Sequence, residues 1–321
     1  MNENHYTNAK YNYHENLKIL RKLVNELMDF QSARIATEHR IRSLNQKYSD
    51  MIPQHKDCMY KEILEGEEGF TEEEKKLKQE IEDYAKDTRL WNEWCIDVKG
   101  LGLYSCGLIV GLLEPYWARM IVKQTVKNNS KPIEKTLYPF ASRSALLKIC
   151  GHALNKNGMS VGKYRNVKGL RGNPKIKAYF WRIGKNLVMA KGIYYELFKI
   201  INEKTKKDYS KYLMRHYGVE TREEAKKKYP HVKYIASTLD ITRKKFTKLF
   251  ISHIWEEFQR IYKLPITSPQ HNPSIEYNNQ KGISISDEQW IHPLRDNDEQ
   301  SRNNLEQYRR FLNENQVMPE K

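Results

Sequence analysis

The chain has 321 residues, of which 39% are hydrophobic and 30% charged, and its formal net charge is +16 at pH 7. No apolar run approaches the roughly 18 residues of a membrane span, and the opening residues lack an apolar signal core, so we expect a cytoplasmic, nucleoid-associated protein without membrane contact. The four cysteines form no C-x-x-C pair, which predicts reduced thiols and neither a metal site nor a cofactor.

The first part of the chain predicts two long helices after a flexible N-terminus (1–13). Residues 14–49 contain neither Pro nor Gly, and Thr71 with Glu74 forms a capping-box signature for a second helix. Apolar residues of this second helix alternate at spacings typical of a coiled-coil seam, namely Leu77, Ile81, Tyr84, Thr88, Trp91, Cys95 and Val98. Residues 14–98 therefore predict a coiled-coil helical region, either a hairpin or a dimerising arm, although ordinary amphipathic helices on a core would show the same pattern.

The remaining chain divides by composition into three parts. Residues 99–202 predict a compact basic domain whose last helix begins at Pro174 and carries an apolar stripe to Ile201. Residues 203–263 predict a charged connector and a helix over 239–262, and residues 264–321 a linker and polar tail with a short helix over 298–314. The predicted fold class is mainly α: a coiled-coil-like helical hairpin, a compact domain with a helix-hairpin-helix element, and a flexible C-terminal tail, with no sheet.

The positive charge is concentrated in one window of the chain. Between Arg119 and Lys185 there are sixteen Lys or Arg residues and a single acid, Glu134, which gives a net charge of +15. Clustered basic residues bind nucleic acid because they release counterions from the phosphate backbone. The window therefore favours a nucleic-acid partner, DNA before structured RNA, over a merely solvated lysine-rich surface.

The segment VKGLGLYSCGLIVGLLE (98–114) places two glycines around one apolar residue before an apolar helix. It lacks the third glycine of a Rossmann turn and the G-K-[ST] of a Walker A loop. The pattern predicts a helix-hairpin-helix element with helices over 90–98 and 103–113 and a hairpin over 99–102. Amides at the start of the second helix would then face a backbone phosphate, unless the turn is only a glycine-capped connection without a ligand.

These segments, in their order and spacing, resemble one family. VKGLGLYSCGLIVGLLE looks like the helix-hairpin-helix opening of the transposase domain in the DEDD insertion-sequence transposases, the bridge-RNA-guided recombinases. FASRSALLKICG (140–151), KYRNVKGLRGNPKIKAYFWRIG (163–184) and TRKKFTKLFISHIWEEFQRIYKLP (242–265) are similar to later parts of such proteins. The resemblance spans most of residues 15–265 and implies DNA binding in transposition and recombination.

Two departures from the family bear on catalysis. The chain has no counterpart of the family's RuvC-like nuclease domain with its four acidic metal ligands. The resemblance also implies a serine followed by glycine, where this sequence has Asn157 and Gly158, and the nearby Ser160 is followed by Val161. An asparagine amide cannot replace an attacking hydroxyl, so Ser160 is the candidate nucleophile, or else a loop serine at the phosphate backbone.

The candidate nucleic-acid contacts combine the hairpin with the basic window. They are Gly100, Leu101, Gly102, Lys156, Lys163, Arg165, Lys168, Arg171, Asn173, Lys175 and Arg182. Tyr164 and Trp181 are candidates for stacking on unpaired bases. His152 is either a general base or a packed histidine, and His253 with Trp255 indicates packing or a dimer surface.

Three functions fit these observations. The first is a transposase-related DNA-binding protein that grips the backbone, without its own nuclease, and forms homo-oligomers through the N-terminal helices. The second is a serine-type recombinase subunit that uses Ser160 and a nuclease domain supplied in trans. The third is a non-catalytic coiled-coil assembly protein, which leaves the hairpin unexplained.

Overall fold

The computed structural model of the protein describes residues 3–47, 69–113, 120–124, 133–137, 143–152, 173–230, 237–262 and 291–314. These residues form a mainly α protein, as the sequence predicts. No helix within the described ranges is long and apolar enough to cross a membrane. The chain divides into two compact units, one made of Met1–Cys95 with Gly102–Glu114, the other of Ile96–Leu101 with Pro115–Lys321.

The elements follow one another along the chain with bounds that differ in places from the predicted ones. They are α1 (Glu3–Lys47), α2 (Phe70–Ala85), α3 (Arg89–Glu93), a 3-10 turn (Cys95–Asp97), α4 (Leu103–Leu113), β1 (Met120–Gln124), β2 (Ile133–Leu137), α5 (Arg143–Ile149), α6 (Pro174–Met189), α7 (Ile193–Tyr217), α8 (Arg222–Lys228), α9 (Thr238–Ile261) and α10 (Glu299–Glu314).

Helices α1, α2 and α4 of the first unit pack pairwise against one another. Two glycines of α4 permit this close packing, since a Cβ at Gly107 would lie 2.5 Å from Cγ2 of Ile81, and one at Gly111 would lie 2.7 Å from Cγ2 of Val24. The long helices thus bury their apolar faces on a core that includes α4. Within one chain, this matches the alternative in which ordinary amphipathic helices pack on a core. Association of two chains through a coiled coil stays a prediction.

The predicted helix over residues 71–98 is wrong in its length. Helix α2 ends at Ala85, and Thr88 begins the short helix α3 by accepting a hydrogen bond from the amide of Trp91 (3.3 Å). The Thr88 hydroxyl also donates to the carbonyl of Ala85 at 2.7 Å, which closes the end of α2. The buried set shifts with this break, so that Ala85 and Trp94 are fully buried in place of the predicted Tyr84 and Trp91.

The second unit has an aromatic core between α7 and α9. Tyr194 makes edge-to-face contacts with Phe246 and Phe250, at centroid distances of 6.3 and 5.5 Å. The predicted apolar stripe of the helix over 239–262 is confirmed, since its five members are buried: Phe246, Phe250, Ile254, Phe258 and Ile261.

The single helix predicted from Pro174 to Ile201 is wrong, because a turn over residues 190–192 separates α6 from α7. Lys191 adopts a left-handed conformation (φ 53°), and Gly192 precedes the first residue of α7. The apolar stripe continues on both sides of this break, which is why periodicity alone did not show it.

Two further predictions are corrected by the structure. Strands β1 and β2 form a two-stranded antiparallel sheet in which Val122 pairs with Lys135, whereas no sheet was predicted. The predicted helix over 298–314 is present as α10, but residues 291–314 are not a free tail, since Ile291, Leu294 and Leu305 are buried. The predicted linker over 264–290 lies outside the described residues.

Candidate nucleic-acid interface

The predicted hairpin is a tight turn that packs on the end of α6. The amide of Leu101 donates to the carbonyl of Val98 (3.0 Å), and the Leu101 side chain is only 4% exposed. Gly100 has φ 98°, and a Cβ there would lie 2.9 Å from Cβ of Ala190 and 3.0 Å from the carbonyl oxygen of Asn186. Glycine at position 100 is therefore required by backbone conformation and by packing within the second unit.

An aspartate of the same unit accepts the hydrogen bond of the backbone amide next to this turn. One carboxylate oxygen of Asp296 accepts from the amide of Lys99 (2.5 Å), and the other accepts from the amide of Ile193 at the start of α7 (2.7 Å). Gly192 leaves room for this carboxylate, because a Cβ there would lie 2.5 Å from its Oδ1. The position that a ligand's anionic oxygens would take at these two amides is thus held by the protein's own carboxylate.

Gly102 is placed differently from Gly100. Gly102 belongs to the first unit and is exposed to solvent. A Cβ built there would have no atom within 4 Å apart from those of its chain neighbours. Its carbonyl accepts from the amide of Cys106 (3.0 Å) in the first turn of α4. Of the two predicted glycines, Gly102 is the one whose surroundings leave space for a partner.

Three predicted contact residues lie on α6. Asn173 caps the helix, because its side-chain oxygen accepts from the amides of Lys175 (2.9 Å) and Ile176 (3.4 Å). Lys175 and Arg182 are exposed and two turns apart on one face of the helix, and the Arg182 guanidinium lies 5.8 Å from the ring centre of Tyr179. Asn173 therefore has a structural role at its side-chain oxygen, while the two cations face outward.

The other predicted residues lie in a segment, 153–172, outside the described residues. This applies to Ser160, Tyr164 and the basic residues Lys156, Lys163, Arg165, Lys168 and Arg171. Both attachment points of the segment are nevertheless defined at the end of α5. The amide of His152 donates to the carbonyl of Leu147 (2.8 Å), and the amide of Asn173 donates to the carbonyl of Ile149 (3.0 Å). The segment therefore leaves and re-enters the second unit at one place.

A group of basic side chains surrounds this place, and sequence reasoning did not single it out. We call Arg143 of α5, Lys177 of α6, and Lys244 and Lys248 of α9 the cation cluster. A Cβ at Gly151 would lie 3.2 Å from Cδ of Lys177, which places the lysine stem directly over the start of the segment. The members come from three helices, so only tertiary packing brings their charges together.

The pKa values of two members of the cation cluster are lowered. Burial lowers the pKa of Lys248, and the charges of Arg143, Lys177 and Lys244 lower it further. Burial also lowers the pKa of Arg143 to about 10, an effect that the charges of Glu256 and Tyr308 oppose. A lowered pKa means that the surroundings disfavour the charged form of Lys248 or Arg143. An anion bound beside either group would stabilise that charged form.

Lys245, next to the cation cluster on α9, has the opposite kind of surroundings. Its ammonium donates to Thr205 Oγ1 (3.3 Å) and lies 3.9 Å from the carboxylate of Asp208. Burial lowers its pKa, the charge of Asp208 raises it, and the charge of Lys204 lowers it. Lys245 is therefore an exposed lysine that shares the carboxylate of Asp208 with Lys204, whereas the charged neighbours of Lys248 are cations.

His152 lies within the cation cluster as a neutral, packed group. It is 5% exposed, and its Nε2 is buried without a hydrogen-bond partner among the described residues. Burial, followed by the charges of Lys177 and Lys248, lowers the pKa of His152 to about 3. A histidine with so low a pKa is a poor general base near neutral pH, so its placement favours packing over catalysis.

The aromatic candidates divide into an exposed one and two buried ones. Trp181 is 47% exposed, and the guanidinium of Arg243 lies 5.6 Å from its ring centre. Trp255 is buried, and His253 is fully buried between the hydroxyl of Tyr194 (2.8 Å) and the carbonyl of Ile291 (2.9 Å). The packing interpretation of His253 and Trp255 is confirmed.

Neither a search for metal ligands nor a comparison with known proteins assigns a further function to the described residues. Within the described ranges, no group of three or more His, Cys, Asp or Glu side chains is placed to hold a metal ion. Comparison of the chain with protein-family models, with curated proteins and with solved structures gives no match, so the family resemblance rests on the quoted segments alone.

Proposed function

We propose that the protein binds the phosphate backbone of nucleic acid, DNA in the first place, and that the cation cluster is part of the binding surface. The observation that carries this proposal is the partly buried Lys248, whose charged neighbours Arg143, Lys177 and Lys244 are all cations. Desolvated cations near one another lower the stability of the free protein. A phosphate oxygen at this place would remove that penalty, and a carboxylate-paired lysine offers no such gain.

The segment 153–172 next to the cation cluster would extend the contact with nucleic acid. Residues 153–172 begin and end beside the cation cluster and carry five of the predicted basic contacts. Lys175 and Arg182 continue the exposed basic surface along α6. Several phosphates bound in this way would release several counterions, so the affinity would depend steeply on salt.

The resemblance to DEDD insertion-sequence transposases supports the biological context of the proposal. The protein would act in DNA transposition or recombination by gripping the DNA backbone. The N-terminal helices would join copies of the chain into a homo-oligomer. Contacts of this kind position a protein on DNA and carry no sequence information by themselves.

The proposal is tested by comparing Lys248→Gln with Lys245→Gln in the full chain. Both residues lie on α9, but Lys248 is partly buried with cations as its charged neighbours, whereas Lys245 is exposed and lies 3.9 Å from the carboxylate of Asp208. We expect Lys248→Gln to weaken binding to a labelled DNA duplex by about tenfold and to reduce the slope of log affinity against log salt by about one. Lys245→Gln should leave both quantities nearly unchanged. Fluorescence anisotropy over a salt series measures them.

Two outcomes would contradict the proposal. One is the absence of salt-dependent binding to DNA or RNA by the wild-type chain even at low salt. The other is an equal effect of the two substitutions, which would mean that the loss follows from removing any lysine on α9. A thermal melt of each variant verifies that the helices remain folded.

A further inference from the structure

We propose that the cavity beside Trp181 binds one unpaired nucleobase, so that the protein engages single-stranded nucleic acid next to the phosphate contacts of the cation cluster. This inference rests on the proposed function and names the kind of strand that the same surface receives. It concerns an apolar cavity formed by α6, α7 and α9, all within the second unit.

The cavity has the chemistry of a stacking site. Its volume is about 160 Å³, and Phe198 and Phe246 lie at its base, edge to face with centroids 5.5 Å apart. Trp181 forms one side and keeps 47% of its surface exposed, which is unusual for so large an apolar side chain. Met189 and Leu239 are also exposed at the opening. A partner that covered this site would bury apolar surface already arranged around a concave opening.

Two planar groups at the opening match the face of a base. The guanidinium of Arg243 lies 5.6 Å from the ring centre of Trp181. An indole and a guanidinium both stack on heterocycles, and the positive charge favours a base that is attached to a phosphate. Asp240, one helical turn before Arg243, makes a long, exposed ion pair with it at 3.9 Å.

The charge around the opening also favours nucleic acid over a protein segment. Lys185 lines the cavity one turn beyond Trp181, and Arg182 is exposed beside it. On α9, Lys244 of the cation cluster directly follows Arg243. A strand whose base entered the cavity would therefore keep its flanking phosphates among cations, whereas an apolar helix of a protein partner would leave these charges uncovered.

The size and lining of the cavity predict the mode of recognition. Its volume is well below the roughly 300–1,000 Å³ typical of pockets for whole small molecules, which suits a single ring system. The hydroxyl of Thr247, which also lines the cavity, already donates to the carbonyl of Arg243 at 2.8 Å. We therefore expect stacking without sequence readout, stronger for purines than for pyrimidines.

The experiment compares two single-stranded probes of equal length and charge, an oligo-dA and an oligomer whose sugars carry no bases. The wild-type full chain should bind oligo-dA about 5- to 150-fold more tightly than the abasic oligomer, the range for one stacked base. Trp181→Ala should remove this preference and leave the affinity for the abasic oligomer unchanged. Trp181→Phe should restore part of it, since a smaller ring still stacks. Tyr212→Ala, an exposed aromatic on α7 outside the cavity, serves as the matched control.

The outcomes separate this inference from the proposed function. Binding of both probes with no difference between them, or an equal loss for both in Trp181→Ala, overturns the base-binding cavity while leaving phosphate binding intact. A change in the sedimentation mass of Trp181→Ala without a change in base preference also overturns it, because the cavity would then join copies of the chain. Failure of the wild type to bind either probe or a duplex at low salt contradicts the proposed function itself.

Discussion

The carboxylate of Asp296 accepts a hydrogen bond from the amide of Ile193 at 2.7 Å and so caps the amino end of α7 from a distant part of the chain. Its second oxygen accepts from the amide of Lys99 at 2.5 Å. One side chain thus joins the start of α7 to the glycine turn. An unpaired amide at a helix start would otherwise favour an anion from outside the protein.

Replacing Asp296 with Ala should lower the free energy of unfolding by about 2 kcal/mol, because two backbone amides lose a charged acceptor. Asp296→Asn should cost less, since one amide oxygen can still accept from one of the two amides. Urea denaturation followed by circular dichroism measures both. Asp87, exposed in the first unit, provides the control, and an Asp87→Ala change equal to that of Asp296→Ala would refute the capping role.

The two glycines of the turn should respond differently to substitution. Gly100→Ala should destabilise the protein by about 1–3 kcal/mol, because φ is 98° and a Cβ would lie 2.9 Å from Cβ of Ala190. Gly102→Leu should leave the unfolding free energy within about 0.5 kcal/mol, since a Cβ there meets no atom within 4 Å. Thermal melts of the two variants measure this difference.

Only Gly102 therefore tests whether the hairpin touches nucleic acid. If its exposed backbone lies against a phosphate, Gly102→Leu should weaken binding to a DNA duplex by about tenfold while the melting temperature stays the same. Unchanged binding in this variant would remove the hairpin from the binding surface. It would leave the cation cluster in place, because Lys248 and its neighbours belong to the other unit.

Local patterns in the sequence were enough to predict several elements. The stripe from Phe246 to Ile261 predicted α9 to within one residue at each end, and Pro174 marked the start of α6. The break at Lys191 and Gly192 was missed because the apolar residues keep a helical spacing across it. Gly192 was the available signal, but its role depends on the carboxylate of Asp296, which is far away in the sequence.

Only part of the candidate site could be predicted from local patterns in the sequence. The density of basic residues pointed to α6, and Trp181 was recognised as a stacking candidate. The cation cluster was not, because Arg143, Lys177 and Lys248 lie on three separate helices, and the cluster's two lysines on α9 lie outside the basic window. The pKa of a lysine depends on which charges packing brings near it, and periodicity carries no information about that.

The buried His253 should make the protein less stable in mild acid. Burial lowers its pKa to about 4, with Arg143 and His292 acting in the same direction and Glu256 in the opposite one. Its Nε2 donates to the carbonyl of Ile291, so Nδ1 accepts from Tyr194 in the neutral ring. Between pH 6.5 and 4 the unfolded chain binds a proton that the folded chain does not. Stability is therefore full above pH 6.5 and falls by up to about 3 kcal/mol as the pH drops to 4.

Urea denaturation at a series of pH values checks this, with His253→Gln as the comparison. The variant should be less stable at pH 7.5, because the hydrogen bonds around Tyr194 are disturbed, yet its stability should depend less on pH by about one proton. His152, whose pKa is also lowered by burial, remains and keeps part of the slope. Parallel pH profiles for the two proteins would show that His253 does not contribute.

The close approach of α4 to α2 in the first unit should depend on Gly107. Gly107→Ala should lower the free energy of unfolding by about 1–3 kcal/mol, because the added Cβ would lie 2.5 Å from Cγ2 of Ile81 and 3.1 Å from its carbonyl oxygen. Ile81→Ala alone should also destabilise the protein, since it leaves a cavity in the core. The double variant should be more stable than the sum of the two losses predicts, because the methyl that clashes with the new Cβ is gone. Strict additivity in this cycle, measured by urea denaturation, would mean that α4 does not pack on α2 through Gly107.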